Sequence, residues 1–83
     1  MLLFVSNEGD NGFDVLCRPE DWKEADRIVR ASVERHGVAL LEPVFRRKRE
    51  DFPGFRIRYR YVESQDEGVG TAIGKDIRRN AEP

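Results

Sequence analysis

The strict alternation of side chains between Phe55 and Val62 constrains the fold of this chain more than any other feature. Apolar and basic residues alternate there, in the run FRIRYRYV. A period of two is typical of a β-strand with one buried and one solvent-facing side. We therefore predict a strand whose apolar side faces a core and whose other side carries arginine.

This strand is predicted to be the second arm of a β-hairpin that turns at Asp51-Phe52-Pro53-Gly54. The pairing of the arms matters because a slip of one residue moves every side chain to the opposite face. A tight turn at Pro53-Gly54 would leave Arg46 and Lys48 on the side of Tyr59 and Tyr61. A longer loop, with Arg49 opposite Phe55, instead places Leu41 and Phe45 on the apolar side. We favour the longer loop for that reason.

Seven basic residues on the two arms form the predicted partner-binding set: Arg46, Arg47, Lys48, Arg49, Arg56, Arg58 and Arg60. The whole chain has a net charge of −1, although these seven basic residues lie together on the hairpin. The positive charge is therefore segregated from the rest of the chain. Like charges across a ladder destabilise a sheet, and the surface should therefore attract anions. Those anions belong either to an acidic partner or to the chain itself, chiefly Glu42, Glu50, Asp51 and the acids of the tail.

Length and composition limit the remaining alternatives. A chain of 83 residues has room for one small core. Its single cysteine excludes an internal disulfide and a cysteine-based zinc site and suits a reducing compartment, so we expect a cytoplasmic protein. The apolar stretch at residues 1–5 is too short for a signal peptide or a membrane span, and no membrane association is expected.

The first half of the chain predicts a second hairpin followed by a helix. Strands are expected at Leu2 to Ser6 and at Gly12 to Arg18, because the Asn11-Gly12 step favours a hairpin turn. Pro19 opens a helix whose apolar residues recur at helical spacing, and Gly37 is a suitable C-cap. Residues 64–83 are acidic and glycine-bearing, which predicts a flexible or weakly helical C-terminal tail.

Together these elements predict an α+β fold in the order ββαββ, with a four-stranded antiparallel sheet and one helix packed on one face. Residues 1–63 would form this single domain. The predicted core comprises Leu2, Phe4, Phe13, Val15, Cys17, Trp22, Ala25, Val29, Val33, Leu41, Phe45, Ile57, Tyr59 and Tyr61.

The strand pattern that buries Leu2 and Phe4 turns Leu3, Val5 and Leu16 to the other side of the first hairpin. These three residues would form an apolar patch there. Monomeric proteins rarely expose a contiguous apolar patch without a use. We therefore expect these residues to mediate self-association into a homodimer, with the tail as the alternative cover.

No catalytic, metal or cofactor pattern is present in the sequence. Cys17 would need a general base, and the only histidine, His36, lies at the far end of the following helix. We expect no enzyme, no metal and no cofactor, but a small binding module that inhibits or regulates a larger macromolecular machine by binding a protein. Small phage-type inhibitors, anti-CRISPR proteins among them, are of this size. The alternative is a nucleic-acid-binding protein that uses the basic hairpin.

Overall fold

A computed structural model describes residues 3–9, 11–47, 54–63 and 68–81. Its elements, in chain order, are β1 (Leu3–Gly9), β2 (Gly12–Cys17), a 3-10 turn (Pro19–Asp21), α1 (Trp22–Arg35), β3 (Val44–Arg47), β4 (Phe55–Arg60) and α2 (Val69–Ala81). The strands form one antiparallel sheet in the order β1-β2-β4-β3. The α+β class is confirmed. The predicted order with one helix is wrong, because a second helix follows β4 and the elements read as ββα twice.

Both helices cover the same face of the sheet. Phe13, Val15 and Cys17 of β2 point to this face and are fully buried. Their partners across the ladder include Ile57 and Tyr59, and the rings of Phe13 and Tyr59 stack with centroids 5.7 Å apart. Helix α1 contributes Ala25, Ile28, Val29 and Val33 to the same cluster, and α2 contributes Val69, Ile73 and Ile77.

Polar contacts fix the two helices in place. The Tyr59 hydroxyl of β4 donates a hydrogen bond of 2.7 Å to Asp26 of α1. Between the helices, the Asp76 carboxylate accepts hydrogen bonds from Ser32 at 2.7 Å and from Arg35 at 2.7 Å. The Ser32 bond and the Arg35 guanidinium lower the pKa of Asp76, although partial burial opposes them.

The parity predicted for β1 is wrong, and the cause is a β-bulge. Near the turn Gly9 pairs with Gly12, and an unbroken ladder from there would put Phe4 opposite Cys17. The register shifts between Ser6 and Gly9, so Phe4 instead lies opposite Leu16 and is 52% exposed. Val5 is buried on the helix side, and Leu2 lies outside the described residues. A bulge adds one residue to one strand and so exchanges its two faces.

The pairing of β3 with β4 keeps the predicted parity but not the predicted register. Arg47, not Arg49, lies opposite Phe55, so the arms are offset by two residues from the expected pairing. Phe45 is opposite Ile57 and therefore on the helix side of the ladder. A shift of an even number of residues leaves each side chain on its original face.

Two other predicted core residues are not fully buried. Leu41 is 42% exposed, while its neighbour Leu40 bridges to Tyr61 and packs against the core. The Leu40–Tyr61 bridge differs by one residue from the register of the β3 ladder. The side chains before β3 therefore face the opposite way from those that the β3 register predicts. Trp22 is only partly buried at the edge of the core. The other described members of the predicted core whose side chains are characterised are buried as expected.

Helix α2 occupies most of the predicted tail and belongs to the core. Ile73 and Ile77 are fully buried, and α2 packs against β1 and α1. Its glycines permit this close packing, because a Cβ at Gly74 would collide with the Glu8 carboxylate and a Cβ at Gly70 would lie 2.8 Å from the Tyr61 hydroxyl. Residues 64–67 and 82–83 lie outside the described part of the chain. Helix α2 and the sheet therefore share one hydrophobic core.

If α2 is part of the core, Ile73→Ala should lower the free energy of unfolding by about 2–5 kcal/mol, since it leaves a cavity beneath the helix. Lys75→Ala, an exposed change on the same helix, is the matched control and should have little effect. Urea denaturation followed by circular dichroism measures both. Equal stability of the two variants would show that α2 does not pack as described.

Candidate binding face of the sheet

The sheet has a second face that neither helix covers, which we call the open face. Since side chains alternate along a strand and partners across a ladder share a side, the register defines its members. They are Phe4, Ser6, Asp14, Leu16, Val44, Arg56, Arg58 and Arg60. Three residues of the predicted partner-binding set, Arg56, Arg58 and Arg60, therefore share one surface, and the backbone of Arg46 pairs with Arg56.

The centre of the open face is a buried carboxylate, Asp14, whose side chain is only 3% exposed. It accepts hydrogen bonds from Asn7 Nδ2 at 2.7 Å, from Arg56 Nη2 at 2.6 Å and Nε at 3.0 Å, and from Arg58 Nη1 at 3.3 Å. Burial by itself would raise the pKa of Asp14. The bonds from Asn7, Arg56 and Arg58 outweigh burial and lower the pKa.

Asp14 corrects one expectation drawn from the sequence, because it is the acid that neutralises the arginines of β4. The acids expected to do so do not form ion pairs with these arginines within the described residues; Glu42 is exposed, and Glu50 and Asp51 lie outside them. The signal that could have found Asp14 is its position in β2, where an acidic residue falls on the side facing the arginines.

Arg58 holds the bulge of β1 in place. It lies opposite Asp14 in the ladder and reaches across β2, donating from Nη1 to the Asn7 carbonyl at 2.8 Å and from Nη2 to the Gly9 carbonyl at 2.9 Å. Asn7 has φ of 52°, a conformation that asparagine tolerates better than most residues. Arg58 is therefore mainly structural, and reversing its charge would disturb the fold, contrary to the expectation that it is free surface.

Arg56 and Arg60 are the arginines available to a ligand. The Arg56 side chain is 38% exposed although two of its nitrogens bond to Asp14. The Arg60 side chain is exposed and makes no hydrogen bond or ion pair with any other residue that the structure describes. Together with Arg58 they border a shallow depression of about 460 Å³ that also contacts Asn7 and Glu8; we call it the arginine depression.

Apolar side chains surround this basic centre. The exposed large apolar residues of the described chain are Phe4, Leu41, Val44 and Val62. Phe4 and Val44 are on the open face by register. Leu41 and Val62 alternate with the inward Leu40 and Tyr61 and are bonded to Arg60 and Ala39 across the strands, so they point to the same side. These four exposed apolar residues thus lie on the side that carries the arginines.

The remaining predicted site residues are distributed as follows. Arg47 has the register of the helix side, and Lys48 and Arg49 lie outside the described residues. Of the predicted self-association residues, Leu3 and Val5 face the helices and only Leu16 is on the open face. These three residues do not form one patch, which removes the geometric reason for a homodimer built on them.

The described residues show no constellation for catalysis or metal binding. Burial, with a contribution from Asp21, raises the pKa of the Cys17 thiol to about 11, and the His36 Nδ1 donates to the Ser32 carbonyl at 2.8 Å. No cluster of three or more histidine, cysteine, aspartate or glutamate side chains forms a candidate metal site in the described ranges. No helix in those ranges is long and apolar enough to cross a membrane.

Comparison with protein-family models, with curated proteins and with solved structures gave no match for this chain.

We expect Asp14→Asn to destabilise the protein by about 1.5–3 kcal/mol, because the charged hydrogen bonds to Arg56 and Arg58 lose their acceptor. The lower part of that range is favoured since Arg56 keeps contact with water. Glu34→Gln, an exposed change on α1, is the control. Equal urea midpoints for both variants would show that Asp14 does not hold the open face together.

The lowered pKa of Asp14 also gives a pH dependence. An acid whose pKa is depressed on folding stabilises the folded state above its ordinary value, here 3.8, and this contribution is lost as the pH falls towards the folded pKa. Stability measured from about pH 6 to about pH 2 should therefore fall less steeply in Asp14→Asn than in the unchanged protein. Parallel curves would contradict this assignment, because Asp76 titrates in both proteins.

Proposed function

We propose that this chain is a small non-enzymatic binding module whose open face docks a protein partner carrying apolar and acidic groups. The observation that carries the proposal is the segregation of the exposed large apolar residues and the β4 arginines onto one side of the sheet, opposite the helices. Monomeric proteins rarely keep such a mixed surface without a use, and aromatic and arginine side chains dominate the energetic centres of interfaces.

Two arginines of the open face, Arg56 and Arg58, are held in place before any partner binds. Asp14 fixes the Arg56 guanidinium through two nitrogens, and Arg58 is held by backbone carbonyls. Side chains that are already immobilised lose less conformational entropy on binding, so they contribute more to affinity. Charge complementarity then selects an acidic partner, and Phe4 with Leu16 supplies adjacent apolar contact area.

The proposed module fits an inhibitor or regulator of a larger macromolecular machine, the class to which small phage-type and anti-CRISPR inhibitors belong. This part of the proposal rests on size and on the absence of a catalytic constellation in the described residues. The single thiol, buried in the core, suits the cytoplasm.

Nucleic-acid binding is the second candidate, and one observation favours it. Phe4 is an exposed aromatic ring on the same face as Arg56, a combination that can stack a base and contact a phosphate. Tyr59 and Tyr61 are buried and cannot serve as stacking platforms. Asp14 also removes part of the positive charge that phosphates would need. The geometry therefore supports a protein partner better than a nucleic acid.

A test first isolates candidate partners on the immobilised protein from a nuclease-treated lysate of source cells, then measures binding of each purified candidate by calorimetry. Phe4→Ser should weaken the binary complex at least about tenfold, equivalent to about 1.4 kcal/mol, because it removes the exposed aromatic anchor. Lys23→Ser, which removes a long exposed side chain from α1, should bind as the unchanged protein does.

Equal affinity of Phe4→Ser and the unchanged protein for every purified candidate would overturn the open face as the docking surface. Retention on a single-stranded DNA column that is lost steeply with salt and is abolished by Phe4→Ser would favour the nucleic-acid alternative.

A further inference from the structure

We propose that the arginine depression binds the carboxylate of an acidic side chain, aspartate or glutamate, supplied by the protein partner. This inference rests on the proposed function for the source of the carboxylate but not for the binding site itself. The site would consist of the Arg56 and Arg60 guanidinium groups, with Arg58 and Asp14 as positioning residues.

Donors for a carboxylate remain on both arginines. The Arg60 side chain makes no hydrogen bond or ion pair with any other described residue, and it borders the same depression as Arg56. Arg56 bonds to Asp14 through Nε and Nη2 and keeps Nη1. Arg56 and Arg60 lie four residues apart on one face of β4, which separates the side-chain origins by roughly 13 Å. The Arg56 guanidinium bends toward Asp14, which pairs with the intervening Arg58, so it lies nearer to Arg60 than its backbone position does. Both guanidinium groups border one depression, and each can donate to a carboxylate placed between them.

Neighbouring groups keep the depression positive but limit its charge. Glu8 also borders it, yet the Glu8 carboxylate is paired with Arg78 Nη2 at 2.7 Å. The Asp14 carboxylate is paired with both Arg56 and Arg58. The positive charges that border the depression therefore exceed the negative charges that pair with them. The site should attract an added anion.

The protein partner of the proposed function supplies the ligand as a carboxylate, and phosphate is the alternative that the test distinguishes. Glu8 and Asp14 lie on the border of the depression and reduce its positive charge. A planar carboxylate accepts parallel N–H bonds from the edge of a flat guanidinium. Because the depression is open above the sheet, an acidic side chain can enter while the rest of the partner covers Phe4 and Leu16.

The site is tested without the partner by titrating the isotope-labelled protein with acetate, at constant ionic strength, and following the arginine Nε–Hε resonances by NMR. We expect saturable shifts at Arg56 and Arg60. Arg60→Gln should weaken acetate binding at the Arg56 resonance at least about tenfold, equivalent to about 1.4 kcal/mol. Arg79→Gln removes the same charge from the exposed surface of α2 and should leave the acetate titration unchanged.

Shifts that rise linearly and equally at Arg56, Arg60 and Arg79 would overturn the site. So would tighter saturable binding of inorganic phosphate than of acetate, which would assign the depression to phosphate ligands instead. Since acetate replaces the partner, this outcome is independent of the Phe4→Ser experiment: saturable acetate binding with unaffected partner affinity rejects the docking proposal and retains the anion site.

Discussion

The hydrogen bonds of one buried carboxylate allow this sheet to carry arginine on a central strand. Arg56, Arg58 and Arg60 occupy alternate positions along β4, and Arg56 pairs with Arg46 in the β3 ladder. Such a row of like charges opposes strand pairing. Asp14, opposite Arg58 on the other central strand, bonds to Arg58 and to the diagonal Arg56 at once. A single acidic residue therefore compensates two basic ones, and because both guanidiniums keep some contact with water the arrangement avoids the full desolvation cost of a buried ion pair.

The bulge in β1 is the second element on which the open face depends. It supplies the Asn7 amide to Asp14 and turns the Asn7 and Gly9 carbonyls toward Arg58. The same irregularity moves Phe4 to the open face and Val5 to the core. A local change of one residue thus determines both the stability of the arginine cluster and the apolar group beside it.

The regular parts of this architecture could be predicted from the sequence, and the irregular parts could not. The period of two in β4 and the helical spacing in α1 identified buried faces correctly, since Ile57, Tyr59 and Val29 are all fully buried. Phe4 and Leu41 were misplaced because each lies across a register shift from its well-patterned partner strand, and periodicity carries no information about an added residue.

Two further errors have a chemical origin. Gly70 and Gly74 indicated a linker by composition, whereas their missing Cβ atoms allow α2 to approach Tyr61 and Glu8. The role of Asp14 was missed because its contact with Arg56, 42 positions away, is not visible in the sequence. In both cases the function of the residue comes from a neighbour that is distant in sequence.

The open face therefore contains residues of two kinds that respond differently to change. Asp14 and Arg58 are committed to the fold, since each satisfies groups on other strands. Phe4 and Arg60 project from positions that the strands fix, yet contribute little to packing because they remain exposed. A small domain has little stability to lose, so a binding surface is best built from exposed residues placed on a framework of satisfied ones. The partner's chemistry could then be altered at Phe4 or Arg60 while the Asp14 cluster continues to hold the sheet.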